Sequence, residues 1–286
     1  MNRALVIRIG ALGDVLLTRR LTYSLSRAGL RSTLFAPARH ASLLQKDPWI
    51  DGVLDSESPP FAPAFAGEWR NAERGFDLGV VISRSDALAL AAESAAGRVA
   101  RIEPGPSRDD VSIALQWAEA AVGAGPVFEG TLPSLSASPG ESMARAATLI
   151  HPGSGSPAKN WALERFFDLS RELRRAGHRV IWILGPAEGG IPSPGSEFEV
   201  LDRPPLGALA ATLSQARLFV GNDSGVSHLA AAVGAPTVAL FGPTSDVVFR
   251  PDGPRVATVR STSGALDSLR VDRVLSVIEE LNGWTS

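Results

Sequence analysis

The feature that most constrains this chain is a rhythm in which short apolar, β-branched runs recur between segments of helical periodicity. Runs at 4–9 (ALVIRI), 32–36 (STLFA), 78–83 (LGVVIS) and 98–102 (RVARI) predict strands in the first half, with helices over 15–28 and 108–122. The second half repeats the pattern with strands at 147–152, 178–185, 218–221 and 236–242, and helices over 162–176, 206–215, 225–233 and 267–281. Strands that alternate with helices predict βαβ units and therefore an α/β fold built on parallel sheets.

A length of 286 residues with 44% hydrophobic content exceeds one comfortable core and predicts two domains. The weakest periodicity and a concentration of Gly, Pro and Ser lie at 123–144, so the expected domains are 1–135 and 136–286. The stretch 56–75 has no convincing period and is expected to be a mobile loop. A net charge of −2 without a long basic run excludes the electrostatic footprint of a nucleic-acid binder. Zero cysteines exclude disulfides and thiolate metal sites. Charges at Arg3, Arg8 and Asp14 interrupt any signal-peptide core, and the chain has no uncharged apolar run long enough to cross a bilayer, so a soluble cytoplasmic protein is expected.

Ligands of open parallel sheets bind beyond the carboxyl ends of the strands, and four such ends carry polar residues. In VIRIGALGDVLLT the chain turns through Gly10 and Gly13 and delivers Asp14 to the first turn of a helix, where a carboxylate suits the positive helix end; capping alone would account for it. The glycine spacing is not that of a dinucleotide fingerprint. In LIHPGSGSPAKNW the strand leaves into Gly153, Ser154, Gly155 and Ser156, which can wrap an anion with amides and hydroxyls ahead of a helix. Of 28 basic residues only Lys46 and Lys159 are lysines, and Lys159 falls inside this loop, where a compact ammonium suits phosphate oxygens. An ordinary Gly/Ser turn with a solvated lysine is the alternative, and no P-loop pattern is present. Beyond the strand at 178–185, Glu188 could accept both hydroxyls of a ribose or be a surface glutamate. In FVGNDSGVSHLAAAV, Asp223, Ser224 and Gly225 stand at a strand-to-helix junction with His228 one turn in. Asp223 would repel a phosphate and is read as reaching sugar hydroxyls, although the same residues make a good cap and His228 could be a packed core histidine.

Taken together, these four segments, in this order, resemble glycosyltransferase family 9, the ADP-heptose:lipopolysaccharide heptosyltransferase group. The resemblance implies a GT-B fold, two Rossmann-like domains with parallel sheets facing across a cleft, in which the last helix can pack back on the first domain. It implies an inverting, metal-independent transfer of heptose from ADP-heptose to a hydroxyl of a lipopolysaccharide-core-like or other cell-surface saccharide, with the nucleotide sugar as substrate and no cofactor. By matched position, Asp14 would be the general base; Ser154, Gly155, Ser156 and Lys159 would meet the diphosphate; Glu188 the ribose; and Asp223, Ser224, Gly225 and His228 the donor sugar and its phosphates. The acceptor side carries no matching motif. Arg8, Arg39 and Arg84 are candidate cations for an anionic, lipid-linked acceptor at the cytoplasmic face of the inner membrane, and each also reads as a surface or structural arginine. Two alternatives remain: a non-catalytic nucleotide-sugar binder, and a sugar-nucleotide epimerase on the same fold.

Overall fold

The computed structural model describes residues 2–70, 75–123, 125, 127–137, 146–185 and 194–283. Contacts divide it into two units, Met1–Leu132 and Pro133–Ser286.

The first unit is a sheet of β1 (Asn2–Ile7), β2 (Leu30–Ala36), β3 (Ile50–Asp55), β4 (Leu78–Ile82) and β5 (Val99–Ile102), all parallel, in the order β3-β2-β1-β4-β5. Its helices are α1 (Leu12–Arg27), α2 (Ala38–Ala41), α3 (Asp86–Ala95) and α4 (Ile113–Val122). The chain runs outward from β1 to β3, then crosses to β4 on the other side, so the topological switch lies between β1 and β4. The central strands are buried over most or all of their length, which is why they read as continuous apolar runs.

Three expectations are corrected in this unit. The segment 56–75 is no mobile loop in its described part. A 3-10 helix over Pro59–Ala66 ends at Gly67 (φ +86°), and Phe61 and Trp69 are buried against Phe35 with ring centroids 5.3 and 5.4 Å away. Aromatic packing replaces periodicity as the ordering force there. Helix α4 begins at Ile113 rather than 108 because Ser112 caps it and the Gln116 amide holds the preceding loop, accepting from the amides of Ser107 and Arg108 and donating to the carbonyls of Arg108 and Val111. Strand β3 and helix α3 lie where no element was expected.

The second unit has six parallel strands, β6 (Thr148–His151), β7 (Val180–Leu184), β8 (Glu199–Asp202), β9 (Leu218–Asn222), β10 (Thr237–Phe241) and β11 (Val256–Arg260), in the order β11-β10-β9-β6-β7-β8. Counted from β6, this is the Rossmann order with its switch point between β6 and β9. Helices α5 (Leu163–Arg175), α6 (Leu206–Ser214), α7 (Gly225–Ala232) and α8 (Val271–Asn282) accompany it. The core gathers Trp161, Phe166 and Trp182 with Val274, Val277 and Ile278 of α8, so the closing helix packs into the second unit. Buried indole N–H groups find acceptors, Trp161 on the Leu269 carbonyl (3.0 Å) and Trp182 on Ser170 (3.1 Å).

Candidate functional site

In each unit some of the polar residues singled out above meet at the switch point of the sheet, Arg8 with Asp14 in the first and Lys159 with Asp223 in the second. In the first, Ala11 is the N-cap of α1 and Asp14 its third residue. The Asp14 carboxylate reaches back to accept from the Ala11 amide (3.0 Å) through Oδ2, and from Arg8 Nη2 (2.6 Å) through Oδ1. Its side chain stays 36% exposed, so the capping role and an open carboxylate coexist. Gly10 is required by this packing, because a Cβ there would lie 2.6 Å from Asp14 Oδ2. On the far side of the turn the His40 ring points Nδ1 at the Gly10 carbonyl (3.2 Å); a carbonyl only accepts, so Nδ1 carries the proton. Burial holds the His40 imidazole below its ordinary pKa, against the pull of that carbonyl.

Of the three arginines proposed for an acceptor, Arg8 lies deepest. Its guanidinium sits 5.2 Å from the Trp117 ring centroid and donates to the Ile82 carbonyl at the end of β4 (3.4 Å), so it spans the β1/β4 switch while pairing with Asp14. Arg39 and Arg84 lie on the exposed rim beyond β2 and β4, paired with Glu57 and Glu103 respectively.

In the second unit the loop after β6 and the junction after β9 meet. Lys159 Nζ donates to Asp223 Oδ2 (2.8 Å), and Thr244, beyond β10, donates its hydroxyl to the same oxygen (2.8 Å). Asp223 is nearly buried (side chain 7% exposed), whereas the lysine remains 32% exposed. Ser154 shapes the loop from within, its hydroxyl lying 2.7 Å from Asn160 Oδ1 and accepting from the Ser156 amide (3.2 Å). Gly155 is exposed, with open space where a Cβ would stand. Ser224 is the N-cap of α7 and accepts from the Ser227 amide (3.4 Å), leaving Gly225 in the first turn with partly exposed backbone. His228 is buried one turn in. Glu188 lies outside the described residues.

Such a site offers one ammonium, hydroxyls and first-turn amides beside a carboxylate, an arrangement suited to an anionic group joined to a polyol. The sequence model of glycosyltransferase family 9 (heptosyltransferase) matches residues 113–277, more than half of the chain. The chain belongs to glycosyltransferase family 9. A lipopolysaccharide heptosyltransferase 3 of Escherichia coli is 30% identical over 112 residues, 36% of this chain and 33% of that protein. The chain thus spans about a third of the length of the curated relatives it matches. Two solved structures are similar over nearly the whole chain. The family 9 glycosyl transferase from Veillonella parvula DSM 2008 has a TM-score of 0.80 at 19% identity, covering 98% of this chain and 97% of that one. The E. coli heptosyltransferase WaaC with ADP has a TM-score of 0.75 at 19% identity, covering 98% and 99%. These likenesses bear on the fold, which is GT-B, with two Rossmann-like parallel-sheet units.

Three further residues join these contacts without being among the site candidates read from the sequence. Thr244 follows β10 in FGPTS and is visible in the sequence only as a polar residue after an apolar run; nothing local ties it to Asp223. Asn160 and Asn222 stand inside the motif segments with no role that the sequence makes evident, and both lock the loop that carries Lys159. Among the described residues there is no group of three or more His, Asp or Glu placed to hold a metal ion, and no helix long and apolar enough to cross a membrane.

Proposed function

We propose that this family 9 protein transfers a heptose from ADP-heptose to a hydroxyl of a lipopolysaccharide-core-type saccharide, with inversion at the anomeric carbon and without a bound metal. The observation that carries this reading is the Lys159–Asp223–Thr244 group at the β6/β9 switch point, beside the start of α7 and inside the segment that matches the family. The related WaaC is solved with ADP, and the same nucleotide is proposed for the second unit here. Asp223 is already engaged with Lys159, so that lysine has two further N–H donors for the diphosphate while the carboxylate's remaining acceptor sites face sugar hydroxyls. As the bond to the sugar breaks, the departing diphosphate gains negative charge; the Lys159 ammonium and the amides at the start of α7 would stabilise it.

In the same reading the first unit binds the acceptor, and Asp14 removes the proton from its attacking hydroxyl. Each Asp14 oxygen accepts one bond within the protein and keeps a lone pair for that hydroxyl. A lipid-linked acceptor would bring the protein to the cytoplasmic face of the inner membrane. The test is calorimetric titration with ADP followed by a transfer assay with ADP-heptose, on the wild type and on Asp14→Asn, with and without a chelator. The expected result is ADP binding unchanged by Asp14→Asn, turnover lower by about 10²- to 10⁴-fold, and no effect of chelation. Full turnover by the variant would refute the base assignment, and ADP binding without consumption of any donor would favour a non-catalytic binder.

A further inference from the structure

Asn222 ends β9 with a side chain 0% exposed to solvent, in a strand whose other members are Leu218, Phe219, Val220 and Gly221. A buried amide in such surroundings is costly unless both its halves are bonded. Here both are. Oδ1 accepts from the Trp161 amide (3.1 Å) and Nδ2 donates to the Pro152 carbonyl (2.6 Å), so one side chain grips the loop that carries Ser154, Ser156 and Lys159 at its two ends. The Asn222 carbonyl accepts from the buried Ser227 hydroxyl (2.5 Å), which ties the first turn of α7 to the same point. Trp161 is in turn set in the core, with its indole on the Leu269 carbonyl. Between the two grips the loop is held by Ser154 and Asn160, and Lys159 reaches from it to Asp223.

We propose that Asn222 is the positioning residue of the nucleotide loop: it holds residues 152–161 in the one form that presents Lys159 and the α7 N-terminus together to a nucleoside diphosphate. Being wholly buried, it cannot itself touch a ligand, so any influence on binding acts through the loop. A directional amide gives this register, whereas an apolar residue of similar size would fill the space and leave the loop ends unfastened. The inference rests on the donor reading given above, and two measurements keep the two separable.

The first is ADP binding by Asn222→Ala, Lys159→Ala and the double variant. Asn222→Ala is expected to weaken ADP by about tenfold and to raise the donor KM more than it lowers kcat. The loss caused by Lys159→Ala should shrink in the Asn222→Ala background, because a lysine on an unfastened loop contributes less. Strictly additive effects, as expected of a residue that only adds global stability, would overturn the proposal. The second is hydrogen exchange on the protein without ligand, read at residues 152–161. Loss of protection at the Trp161 amide, confined to that loop, supports the latch even if the wild type fails to bind ADP, in which case the donor reading alone falls. Unchanged protection overturns it. Should Asn222→Ala not fold, Asn222→Asp decides, since it keeps the volume and the Trp161 acceptor but loses the donor to Pro152: wild-type ADP affinity in that variant would refute the latch.

Discussion

Removal of the Lys159 ammonium tests the electrostatics of the second unit most directly. The lysine has two functions in the proposed site: it donates to the diphosphate, and it neutralises Asp223, whose carboxylate is 2.8 Å from Nζ and nearly out of water. Hydrogen bonds to charged groups contribute about 1.5–3 kcal/mol, which is about 10- to 150-fold in the ADP Kd. Lys159→Ala also leaves Asp223 with only the Thr244 hydroxyl on Oδ2, an unneutralised anion beside an anionic ligand. For two unit charges about 8–10 Å apart at an effective dielectric near 20, that repulsion is on the order of 2 kcal/mol, reduced by screening. The combined loss is therefore about 10²- to 10³-fold or more. Asp223→Asn in the same background removes the repulsion and should recover about tenfold of it. Asp223→Asn alone should leave ADP affinity unchanged or improved while turnover of the nucleotide sugar falls, because the acceptor for sugar hydroxyls is gone. Calorimetric titration of the four proteins with ADP closes the cycle. If Asp223→Asn alone weakens ADP as much as Lys159→Ala does, or if the double variant binds no better than the lysine variant, this division of labour between the two side chains is wrong.

Other perturbations probe the first unit and the pH response. Gly10→Ala would place a methyl 2.6 Å from Asp14 Oδ2 and 2.8 Å from its Cβ, so the first turn of α1 must move. A displacement on the order of 1 Å is expected to lower kcat by about 100-fold with ADP affinity intact, as a transfer assay beside a titration would read. Asp47→Ala would remove the carboxylate that accepts bonds of 2.8 and 2.9 Å from the Arg19 guanidinium, in a pair whose side chains are each 3% exposed. The expected destabilisation of the first unit is about 3–5 kcal/mol in urea unfolding, and a loss below about 1 kcal/mol would show the pair to be unimportant. Burial first, then the Arg217 charge, hold His178 below its ordinary pKa, as burial does for His40. The unfolded chain therefore binds these protons at a higher pH than the folded one, so the corresponding stability is complete above about pH 6.5 and declines as the pH falls below it. Urea midpoints between pH 8 and pH 5 should show that decline, and His178→Gln should flatten it.

The elements and residues that stood out are those where a local pattern and its chemistry coincide. Buried central strands such as β1, β4, β7, β9 and β10 declare themselves as apolar runs, and the polar residues that follow them stand out for the same reason. The three strands that escape such a reading, β3, β8 and β11, all lie at sheet edges. β3 and β8 are half in water and β11 is only partly covered, so their sequences lack the apolar density that a central position imposes. Helix α3 was legible in principle, since Ser85 caps it by accepting from the Leu88 amide, but its alanine-rich body has little contrast between faces.

By itself, the sequence determined the class of fold, the parallel sheets and the strand ends that carry clustered polar residues, because burial and helix capping act over a few residues and leave local marks. The tertiary structure alone decided which of those residues act on one another. Lys159 meets Asp223 across 64 residues, Thr244 joins the same carboxylate, and Asn222 fastens a loop 70 residues away. Such pairings depend on strand order, which brings β6 beside β9 only when the whole sheet is assembled, and no short stretch of chain carries that information.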